Sequence, residues 1–440
     1  MPGKNASSLL SVPSRTSRGF ELDDAGPSTL AIHAGQSPDP LHGSLTTPIV
    51  QSTTFAQEEV GKTKGYAYSR VSNPTIDALE RALGALEEAP PAVAFGTGLS
   101  ATASLFIALL KQGDEVLVSD VVYGGTTRLL QQIFSGLGVT SRFIDTSDPA
   151  KVRDAINLRT RVLFIETPAN PTLKLTDIAA VAAIARERGV LSVVDNTFLT
   201  AVLQRPLDLG ADVSLYSTTK FIEGHNSTVG GAVVSRNEDV LERLRFIRKS
   251  LGTIQAPFEA WLTIRGIKTL SVRLKEISRN ALTIARYLEA DPRVTRVNYP
   301  GLASHPQHGL AQRQHGVRRA GAHAALHGGI LSFEIAGGTL SALRFVKELR
   351  LVTLAENCGA TESLVTHSAS MTHADVPREQ RLAAGITDGL VRLSVGLEDP
   401  IDLIADIDRA LEIATEDSRS GEADATHEGG VNGTLEVAHV

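Results

Sequence analysis

Seven short, continuous apolar runs separated by helix-like stretches constrain the fold of this chain more than any other feature of its sequence. The runs are rich in Val, Ile, Leu or Phe and do not alternate with polar residues, which is typical of strands buried on both faces. They are Ala92–Phe95, Glu115–Ser119, Ser141–Ile144, Arg161–Ile165, Leu191–Val194, Val213–Tyr216 and Gly231–Val234. Strands that alternate with helices predict an α/β fold with a mostly parallel sheet that helices cover on both faces.

Apolar residues spaced three and four apart predict helices between several of these strands, and Thr75–Leu86 is the clearest example. Beyond about residue 265 the pattern changes to longer helices, such as Leu270–Leu288, with fewer strands. The change in pattern predicts a large domain over residues 71–265. A smaller C-terminal α+β domain is predicted over residues 266–414.

Composition changes sharply at both ends of the chain. Residues 1–27 mix Ser, Arg, Pro and Gly with little apolar periodicity, and residues 415–440 are rich in Glu, Gly, Ser and Thr. Neither segment has enough apolar surface to offset the entropy cost of ordering, so both are predicted to be disordered tails. The first twenty residues contain basic residues and no acid, as some organelle-targeting peptides do, but a plain flexible tail is the favoured interpretation.

Charge and composition argue against several classes of protein. The 440 residues include 43 basic and 49 acidic side chains, a net charge of −6 at pH 7, which disfavours nucleic acid and anionic membranes as partners. No apolar run reaches the roughly 18 residues of a membrane-spanning helix. The single cysteine, Cys358, cannot form an internal disulfide bond, which suits a reducing compartment. We therefore expect a soluble cytoplasmic enzyme.

The residues that follow each strand are the first candidates for a site, because ligands of open α/β sheets bind at the carboxyl ends of the strands. The turn Gly96-Thr97-Gly98-Leu99-Ser100 follows the first strand and opens a helix. Backbone N–H groups at such a turn can bind a phosphate group. The turn lacks the spacing of a dinucleotide fingerprint or a P-loop, so taken alone it also fits an ordinary turn.

Four polar side chains follow two later strands. Asp195 could cap a helix, bind a metal or pair with a cationic ring nitrogen, and capping is the usual role of a lone aspartate. Ser217 and Thr219 offer hydroxyl groups for a phosphate, and Lys220 stands directly after them. A lysine in a cleft can form a Schiff base when its amine is kept neutral, although a lone lysine is usually a solvated surface group.

Taken together, these features meet the requirements of pyridoxal 5'-phosphate, which needs a phosphate anchor, an acid for its ring nitrogen and an amine for its aldehyde. Tyr123, which follows the strand Glu115–Ser119, offers an aromatic ring to stack on that cofactor. The sequence therefore predicts a pyridoxal-phosphate site at the carboxyl edge of the sheet.

Six motifs with characteristic residues occur in order along the chain. They are Tyr68-Ser69-Arg70-x-x-Asn73-Pro74-Thr75, Tyr123-Gly124-Gly125-Thr126, Glu166-Thr167-Pro168-Ala169-Asn170-Pro171, Val194-Asp195-Asn196-Thr197, Ser217-x-Thr219-Lys220-x-x-x-Gly224-His225 and Arg392-Leu393-Ser394-Val395-Gly396-x-Glu398. Together they resemble the trans-sulfuration, or Cys/Met-metabolism, family of pyridoxal-phosphate enzymes over about residues 28–412. That family includes cystathionine γ-synthase, cystathionine γ- and β-lyases, methionine γ-lyase and O-acylhomoserine sulfhydrylases.

The resemblance implies the type I, aspartate-aminotransferase-like fold and a homotetramer built as a dimer of dimers. Residues 28–70 would form an N-terminal arm that contacts the neighbouring subunit. Lys220 matches the family's catalytic Schiff-base lysine, Asp195 matches the partner of the ring nitrogen, and Tyr123 matches a stacking and catalytic tyrosine. The residues that match the phosphate site are Gly98, Leu99, Ser217 and Thr219, together with Tyr68 and Arg70 for the phosphate of the neighbouring subunit.

The resemblance also implies how an amino-acid substrate is held. Asn170, Ser363 and Arg392 match residues that bind the substrate, with the guanidinium of Arg392 paired with the α-carboxylate. Lys220 would take the α-proton as general base, and expulsion of the γ-substituent would follow. Addition of a thiol then gives γ-replacement, and hydrolysis gives 2-oxobutanoate and ammonia. The two outcomes share their early steps, so the sequence leaves elimination and replacement open.

The subfamily is less constrained than the family. Gly125 and Lys249 stand where methionine γ-lyases have Cys and Asp, which argues against methionine as the main substrate. Phe221, Asn226 and Ser227 depart from the Tyr, Ser and Asp common around the lysine motif. Cystathionine γ-synthase and γ-lyase are the nearest matches. Open alternatives are a γ-lyase for O-substituted homoserine, canavanine or methionine, an O-acylhomoserine sulfhydrylase, a metal-dependent hydrolase and a non-catalytic binding protein on the same fold.

Histidine is concentrated in one segment, where five of the twelve histidines lie between His305 and His327. His323 and His327 would share a face if that segment were helical, and such a pair can bind zinc. No acid or cysteine completes a ligand set nearby, so we predict a polar surface insertion and no metal site. Cys358 is predicted to be a buried thiol without a catalytic role.

Overall fold

The structure is a computed structural model that describes residues 16, 19–22, 25–319, 322–374 and 376–424. For residues 318–319, 322–323 and 417–424 it describes the backbone alone. Residues 1–15 and 425–440, which make up most of both predicted tails, lie outside the described residues.

The described residues form sixteen strands and thirteen α-helices. The strands are β1 (Gln57–Glu59), β2 (Lys62–Thr63), β3 (Val93–Phe95), β4 (Glu115–Ser119), β5 (Thr140–Ile144), β6 (Thr160–Glu166), β7 (Leu191–Asp195), β8 (Val213–Tyr216), β9 (Gly231–Ser235), β10 (Val294–Asn298), β11 (Val317–Arg319), β12 (Ala322–Ala324), β13 (Ile330–Ile335), β14 (Thr353–Leu354), β15 (Leu364–His367) and β16 (Leu390–Ser394). The helices are α1 (Pro27–His33), α2 (Pro74–Leu86), α3 (Gly98–Leu109), α4 (Gly124–Arg128), α5 (Pro149–Ala155), α6 (Ile178–Glu187), α7 (Thr200–Leu203), α8 (Glu238–Leu251), α9 (Pro257–Ala290), α10 (His308–Gln314), α11 (Gly338–Glu348), α12 (Arg378–Ala383) and α13 (Pro400–Asp424). A π-helix spans Leu129–Phe134, and 3-10 helices span Ser135–Leu137 and Pro206–Leu209.

A seven-stranded sheet forms the centre of the N-terminal two thirds of the chain, in the order β3-β9-β8-β7-β6-β4-β5. Strands β4 to β8 form a parallel set. Strand β9 runs antiparallel to both of its neighbours, β8 and β3. Each of the seven strands predicted from the apolar runs is present, to within one residue at each end. The predicted α/β fold class is confirmed.

Helices cover both faces of this sheet because successive residues of a buried strand point to opposite sides. In β4, Val116 and Val118 pack in one apolar cluster with Leu105 of α3 and Leu241 of α8. Leu117, between the two valines, packs in the cluster on the other face, which includes residues of α5 and α6. A strand that is buried on both faces must be apolar throughout, as the continuous runs predicted.

The second sheet has five strands in the order β10-β13-β16-β15-β14, and all its neighbours are antiparallel except β14 and β15. Helix α9 connects the two parts of the chain as one continuous helix of 34 residues, about 50 Å long. Ile267 and Leu270 pack in a core cluster of the N-terminal part, whereas Ile284 and Leu288 pack in the C-terminal core. The predicted domain boundary at residue 266 therefore falls inside a helix that serves both cores. Helix α13 also runs to Asp424, past the predicted end of the C-terminal domain at residue 414.

The predicted N-terminal arm, residues 28–70, contains α1 and the short β1–β2 hairpin and is otherwise irregular. Leu41 and Leu45 are about four-fifths exposed in this single chain, at 80% and 81%. Trp261 of α9 anchors the arm by donating its indole N–H to the carbonyl oxygen of Thr47, at 3.0 Å. Among the described helices, none is both long and apolar enough to cross a bilayer.

The histidine-rich segment is not the surface insertion that we predicted. His305, His315 and His327 are buried, with 8%, 0% and 7% of their surface exposed. The reason is that the segment fills the space beside the loop before α6, where Gln307 and Gln314 bond to the backbone of Leu175 and Ile178.

His323 lies in strand β12, so the helical spacing considered for a zinc pair does not occur. The described residues contain no group of three His, Cys, Asp or Glu side chains placed to hold a metal ion. Cys358 is buried, as predicted.

Candidate active site

A cavity of about 590 Å³ lies at the carboxyl ends of β4, β6, β7 and β8, where it is closed by residues of the C-terminal part of the chain. This volume lies within the usual range for a cofactor site. Nine residues that the sequence analysis predicted line it, namely Gly98, Leu99, Tyr123, Asn170, Asp195, Ser217, Thr219, Lys220 and Arg392. Tyr68, Arg70 and Ser363 do not line it.

One end of the cavity is formed by the N-terminus of α3. Thr97 caps this helix, because its Oγ1 accepts a hydrogen bond from the Ser100 amide at 2.9 Å and its own amide donates to Ser100 Oγ at 3.0 Å. The first-turn amides of Gly98 and Leu99 have no carbonyl partner within the helix, so they can bind an anion. A Cβ atom at Gly98 would lie 2.9 Å from Cβ of Ser217, so glycine is what allows the helix to approach the end of β8.

Ser217 and Thr219 follow β8 on the same side of the cavity. The hydroxyl of Thr219 donates to the carbonyl oxygen of Gly230 at 3.2 Å and accepts from the Gly230 amide at 3.0 Å. The Ser217 amide donates to Thr197 Oγ1 at 2.9 Å. These bonds fix the turn that leads from β8 to Lys220.

Asp195 is the last residue of β7 and is held by Thr197. The amide and the hydroxyl of Thr197 both donate to Asp195 Oδ1, at 3.1 and 2.6 Å. Burial raises the pKa of Asp195 to about 6, and the two hydrogen bonds from Thr197 lower it. The carboxylate is therefore mainly ionised at neutral pH and can stabilise a positive charge in the cavity.

Lys220 extends into the cavity from the turn after β8. Its Nζ atom donates a hydrogen bond to Asn357 Oδ1 at 2.5 Å. The sequence analysis missed Asn357, which lies between β14 and β15 in a segment where no regular pattern precedes it. Asn357 also contacts Arg392, as its main-chain oxygen accepts from Arg392 Nη2 at 2.9 Å.

Arg392 comes from β16 and is 4% exposed. Its Nη1 donates to Asn170 Oδ1 at 3.0 Å, so two predicted substrate-binding residues contact each other. Its buried Nε has no hydrogen-bond partner among the described residues. Two of the five N–H donors of the guanidinium are used in the bonds to Asn170 and Asn357. The group, Nε included, therefore still offers the paired donors that a carboxylate accepts through two oxygens.

Glu166 is a further residue of the site that the sequence analysis did not single out, although it opens one of the six motifs. Its Oε2 accepts from the Tyr123 amide at 2.7 Å, and its Oε1 accepts from the Asn170 amide at 2.9 Å. It also lies directly opposite Asp195 in the register of β6 and β7. Burial, and then the charge of Asp195, raise the pKa of Glu166 to about 8. Its place at the end of a strand, next to the strand of Asp195, was the signal that could have identified it.

Ser363 lies beside the cavity lining and not in it. Ser363 is buried, and its hydroxyl donates to Glu398 Oε2 at 2.7 Å. The hydroxyl oxygen of Ser363 also accepts a hydrogen bond from the Gly396 amide at 2.8 Å. With its hydroxyl used inside the C-terminal part, Ser363 supports the segment but does not reach the cavity. Asn357, and not Ser363, lines the cavity beside Lys220.

Tyr68 and Arg70 lie outside their own chain's cavity. Tyr68 is 40% exposed, and the guanidinium of Arg70 lies over its ring with 5.3 Å from Cζ to the ring centroid. Arg70 Nη1 also donates to the carbonyl oxygen of Lys249. Within a single chain, therefore, these two residues do not contribute to the phosphate end of the cavity.

The residues around the cavity fit pyridoxal 5'-phosphate. The end of α3 offers two amides to a phosphate, and Gly98 lets that helix end approach Ser217. Asp195, Tyr123 and Lys220 line the same cavity and offer a carboxylate, an aromatic ring and an amine to the cofactor ring. The fold and this site define a pyridoxal-phosphate-dependent enzyme.

Comparison with known proteins identifies the family. The family described as Cys/Met metabolism PLP-dependent enzyme matches residues 28–412 of the chain. Cystathionine gamma-lyase of Mus musculus is 46% identical over 388 residues, which are 88% of this chain and 95% of that protein. Cystathionine beta-lyase of Coxiella burnetii is 43% identical over 385 residues, which are 87% of this chain and 97% of that protein.

A solved structure agrees with these relatives. The structure of cystathionine gamma synthase from Xanthomonas oryzae pv. oryzae, in complex with aminoacrylate and cysteine, has a TM-score of 0.84 and 42% sequence identity. It covers 88% of this chain and 98% of its own. The chain belongs to the Cys/Met metabolism family of pyridoxal-phosphate-dependent enzymes. The predicted family, fold class and cofactor are confirmed, and so is the predicted class of reaction.

Proposed function

We propose that this chain cleaves cystathionine at its γ-carbon to give cysteine, 2-oxobutanoate and ammonia. Cystathionine carries an amino-acid group at each end, so a site for it needs charged groups at two places. Arg392, with its unpartnered Nε, serves the α-carboxylate next to Lys220. Arg128 and Glu356, which have opposite charges, line the same cavity and serve the carboxylate and ammonium groups at the other end. This second pair of charges is the observation that carries the proposal.

The chain's own residues perform separate tasks in this reaction. Arg392 and Asn170 bind the α-carboxylate and thereby orient the α-carbon toward Lys220. Lys220 Nζ takes the α-proton as general base, and the same amine can move a proton from the β-carbon. Asp195 stabilises a proton on the cofactor's ring nitrogen. When bound, pyridoxal phosphate supplies the electron sink for the carbanion that forms at the α-carbon.

Loss of the γ-substituent then requires a proton on the departing sulfur, and water completes the products. Tyr123, whose ring lines the cavity, holds the cofactor face and can donate its hydroxyl proton to the leaving thiolate. Gly125 leaves the space for that ring, because a side chain there would collide with Tyr123 Cε1.

The test compares a substrate that has two amino-acid groups with one that has a single group. In Arg128→Gln, kcat/KM for cystathionine should fall by about tenfold, the size expected for one lost charge-assisted contact. For O-acetylhomoserine, which lacks the distal group, it should stay within about twofold of wild type. An equal loss for both substrates would contradict the assignment of the distal site.

γ-Replacement is the second candidate, because a cystathionine gamma synthase shares the fold at 42% identity. It would use the same residues up to departure of the γ-substituent, after which cysteine enters in place of water. Incubation of the protein with an O-acylhomoserine, with and without cysteine, distinguishes the two. New cystathionine in the presence of cysteine indicates replacement, and 2-oxobutanoate in both incubations indicates elimination.

The active unit in this proposal is a dimer within a homotetramer that works in the cytoplasm, with a small amino acid as substrate. The supporting observation is that Tyr68 and Arg70 are exposed and do not line their own chain's cavity, while they belong to a motif of the family. In the assembly they bind the cofactor phosphate of the neighbouring subunit, so each site needs residues from two chains.

Subunit mixing tests this arrangement. Arg70→Ala and Lys220→Ala should each be inactive alone, and Lys220→Ala should also lack the visible absorbance of lysine-bound cofactor. When the two are unfolded and refolded together, mixed dimers contain one site with both residues intact, so about a quarter of the wild-type activity should return. Activity no greater than that of the separate variants would show that each chain forms its site alone.

A further inference from the structure

Two asparagines that the reaction scheme does not use connect Lys220 to a surface carboxylate. Asn357 Oδ1 accepts from Lys220 Nζ at 2.5 Å, and Asn357 Nδ2 donates to Asn226 Oδ1 at 2.6 Å. Asn226 Nδ2 in turn donates to Glu362 Oε2 at 3.2 Å. Asn226 is one of the positions at which this chain departs from the residues common around the lysine motif of its family.

The direction of this hydrogen-bond chain is determined by its two ends. A lysine amine in its charged form only donates, and an ionised carboxylate only accepts. The carboxamide oxygen of Asn357 must therefore face Lys220, which leaves its NH2 group for Asn226. Asn226 must then accept with its oxygen and donate to Glu362. Reversal of either amide would place two donors or two acceptors against each other.

The backbone holds the two halves of this chain of contacts together. Asn226 has φ of 55°, in the left-handed region that asparagine adopts more readily than most residues. The Thr361 amide donates to the carbonyl oxygen of Gly224 at 2.9 Å, so the segment with Glu362 is tied to the loop after Lys220. Glu223 in the same loop is engaged elsewhere, since it accepts from the hydroxyl of Ser227 and the amide of His225.

We propose that Asn226 and Glu362 are positioning residues that orient the carboxamide of Asn357, so that its oxygen holds the Lys220 amine where the substrate's α-proton is delivered. This inference rests on the proposed role of Lys220 as general base. The arrangement matters whenever the amine is free, because an unrestrained lysine side chain has several rotamers and only some of them reach the α-carbon. Arg392, which positions the substrate through its α-carboxylate, donates a hydrogen bond to the main-chain oxygen of Asn357. Asn357 therefore contacts both the lysine and the arginine that the reaction uses.

The direct measurement is exchange of the α-proton of cystathionine with D2O, followed by NMR on the holoenzyme. Asn226→Gly removes the side chain and keeps the positive φ without strain. We expect exchange and kcat to fall about tenfold, as for one lost positioning contact, with KM within about twofold. Glu412→Gln, an exposed glutamate on α13, is the matched control for Glu362→Gln and should leave both unchanged.

A double substitution tests the direction of the contacts. Asn226→Asp still accepts from Asn357 but places a carboxylate against Glu362, so exchange should slow about threefold. Glu362→Gln supplies an NH2 group to that new carboxylate, and the double variant should recover to within about twofold of wild type. In the native background the same Glu362→Gln change should slow exchange slightly. This reversal of sign is not expected of residues that only stabilise the fold.

A second readout is independent of turnover. The full chain freed of cofactor recombines with pyridoxal phosphate through the Lys220 amine, and the rate is followed by visible absorbance. Asn226→Gly should recombine several-fold more slowly, with an unchanged melting temperature.

The two hypotheses fail in different ways. If wild type exchanges the α-proton and Asn226→Gly matches it in exchange and recombination, the positioning role is wrong. If wild type does not exchange the α-proton of cystathionine at all, the proposed function is wrong, and the recombination rates alone decide the role of Asn226.

Discussion

Glu166 is the residue on which two parts of the site converge. Its carboxylate accepts hydrogen bonds from the backbone N–H groups of Tyr123 and Asn170, so one side chain holds the backbone of two residues that line the cavity. It also lies opposite Asp195, with its own pKa raised to about 8 by burial and by that neighbour. Because Glu166 keeps its proton at neutral pH, Asp195 can hold the negative charge of the pair.

Glu166→Gln should therefore weaken substrate binding more than it slows chemistry. Glutamine has one acceptor oxygen, so either Tyr123 or Asn170 would have its buried amide against an NH2 group, at a cost of about 1–3 kcal/mol. We expect KM for the amino-acid substrate to rise about tenfold, with a smaller fall in kcat. Steady-state kinetics measure this. The control is Glu379→Gln, since Glu379 is exposed. An unchanged KM in Glu166→Gln would contradict the positioning role of Glu166.

At the scale of single residues, the sequence predicted groups that directly follow strands and missed groups that reach the site from irregular segments. Asp195 and Lys220 could be placed because every strand end of a parallel sheet opens on the same edge. Asn357 could not be placed in this way, because the segment between β14 and β15 has no periodicity that shows which side chain points inward. Ser363, which the family resemblance implied as a substrate-binding residue, uses its hydroxyl on Glu398.

At the scale of elements, the close approach of α3 to the end of β8 creates the anion-binding end of the cavity. Gly98 is the first residue of α3, and a Cβ there would meet the side chain of Ser217 at 2.9 to 3.0 Å. A larger residue must push the helix away from β8 or displace Ser217. Either change moves donors that the phosphate requires.

Gly98→Ala should lower the affinity for pyridoxal phosphate at least about tenfold, since contacts to a phosphate at a helix end are charge-assisted and depend on distance. Gly136→Ala is a matched control, because nothing lies within 4 Å of a Cβ at that position and its φ is not positive. Equilibrium titration with the cofactor, followed by absorbance, measures both. Equal affinities for the two variants would show that the close approach of α3 to Ser217 is not needed for cofactor binding.

Elements of the sheet could be predicted almost residue by residue, whereas their connections to the second domain could not. Continuous apolar runs identify β4 and β8 because both faces of the sheet are covered. The predicted division at residue 266 falls inside α9, whose apolar residues pack in two cores without a change in helical period. The histidines around α10 were expected outside because they are polar, but Gln307 and Gln314 satisfy the backbone there and allow burial.

At the scale of the whole molecule, buried acids make stability depend on pH. Glu87 is fully buried at the end of α2 and accepts a hydrogen bond from the Tyr216 hydroxyl. Burial raises the pKa of Glu87 from 4.5 to about 7, against the lowering effect of the hydroxyl of Tyr216. The folded chain therefore keeps a proton that the unfolded chain loses between about pH 4.5 and 7, and this contribution to stability is lost as the pH rises through that window.

Glu87→Gln should remove that part of the pH dependence. Between pH 5 and pH 8 the free energy of unfolding of wild type should fall by about 3 kcal/mol more than that of the variant. The size of this difference follows because each unit of pKa shift corresponds to about 1.4 kcal/mol. Urea denaturation at the two pH values measures both differences. The variant is expected to be less stable at pH 5, where its NH2 group lacks a partner. The same pH dependence in both proteins would contradict the burial argument.

The products formed from cystathionine decide whether this chain cleaves its substrate at the γ-carbon. The purified chain, loaded with pyridoxal phosphate, is incubated with cystathionine, and the keto acid is identified by NMR or mass spectrometry, with Lys220→Ala as the inactive control. Cleavage at the γ-carbon predicts 2-oxobutanoate together with cysteine. Pyruvate together with homocysteine would mean cleavage at the β-carbon and would contradict the account.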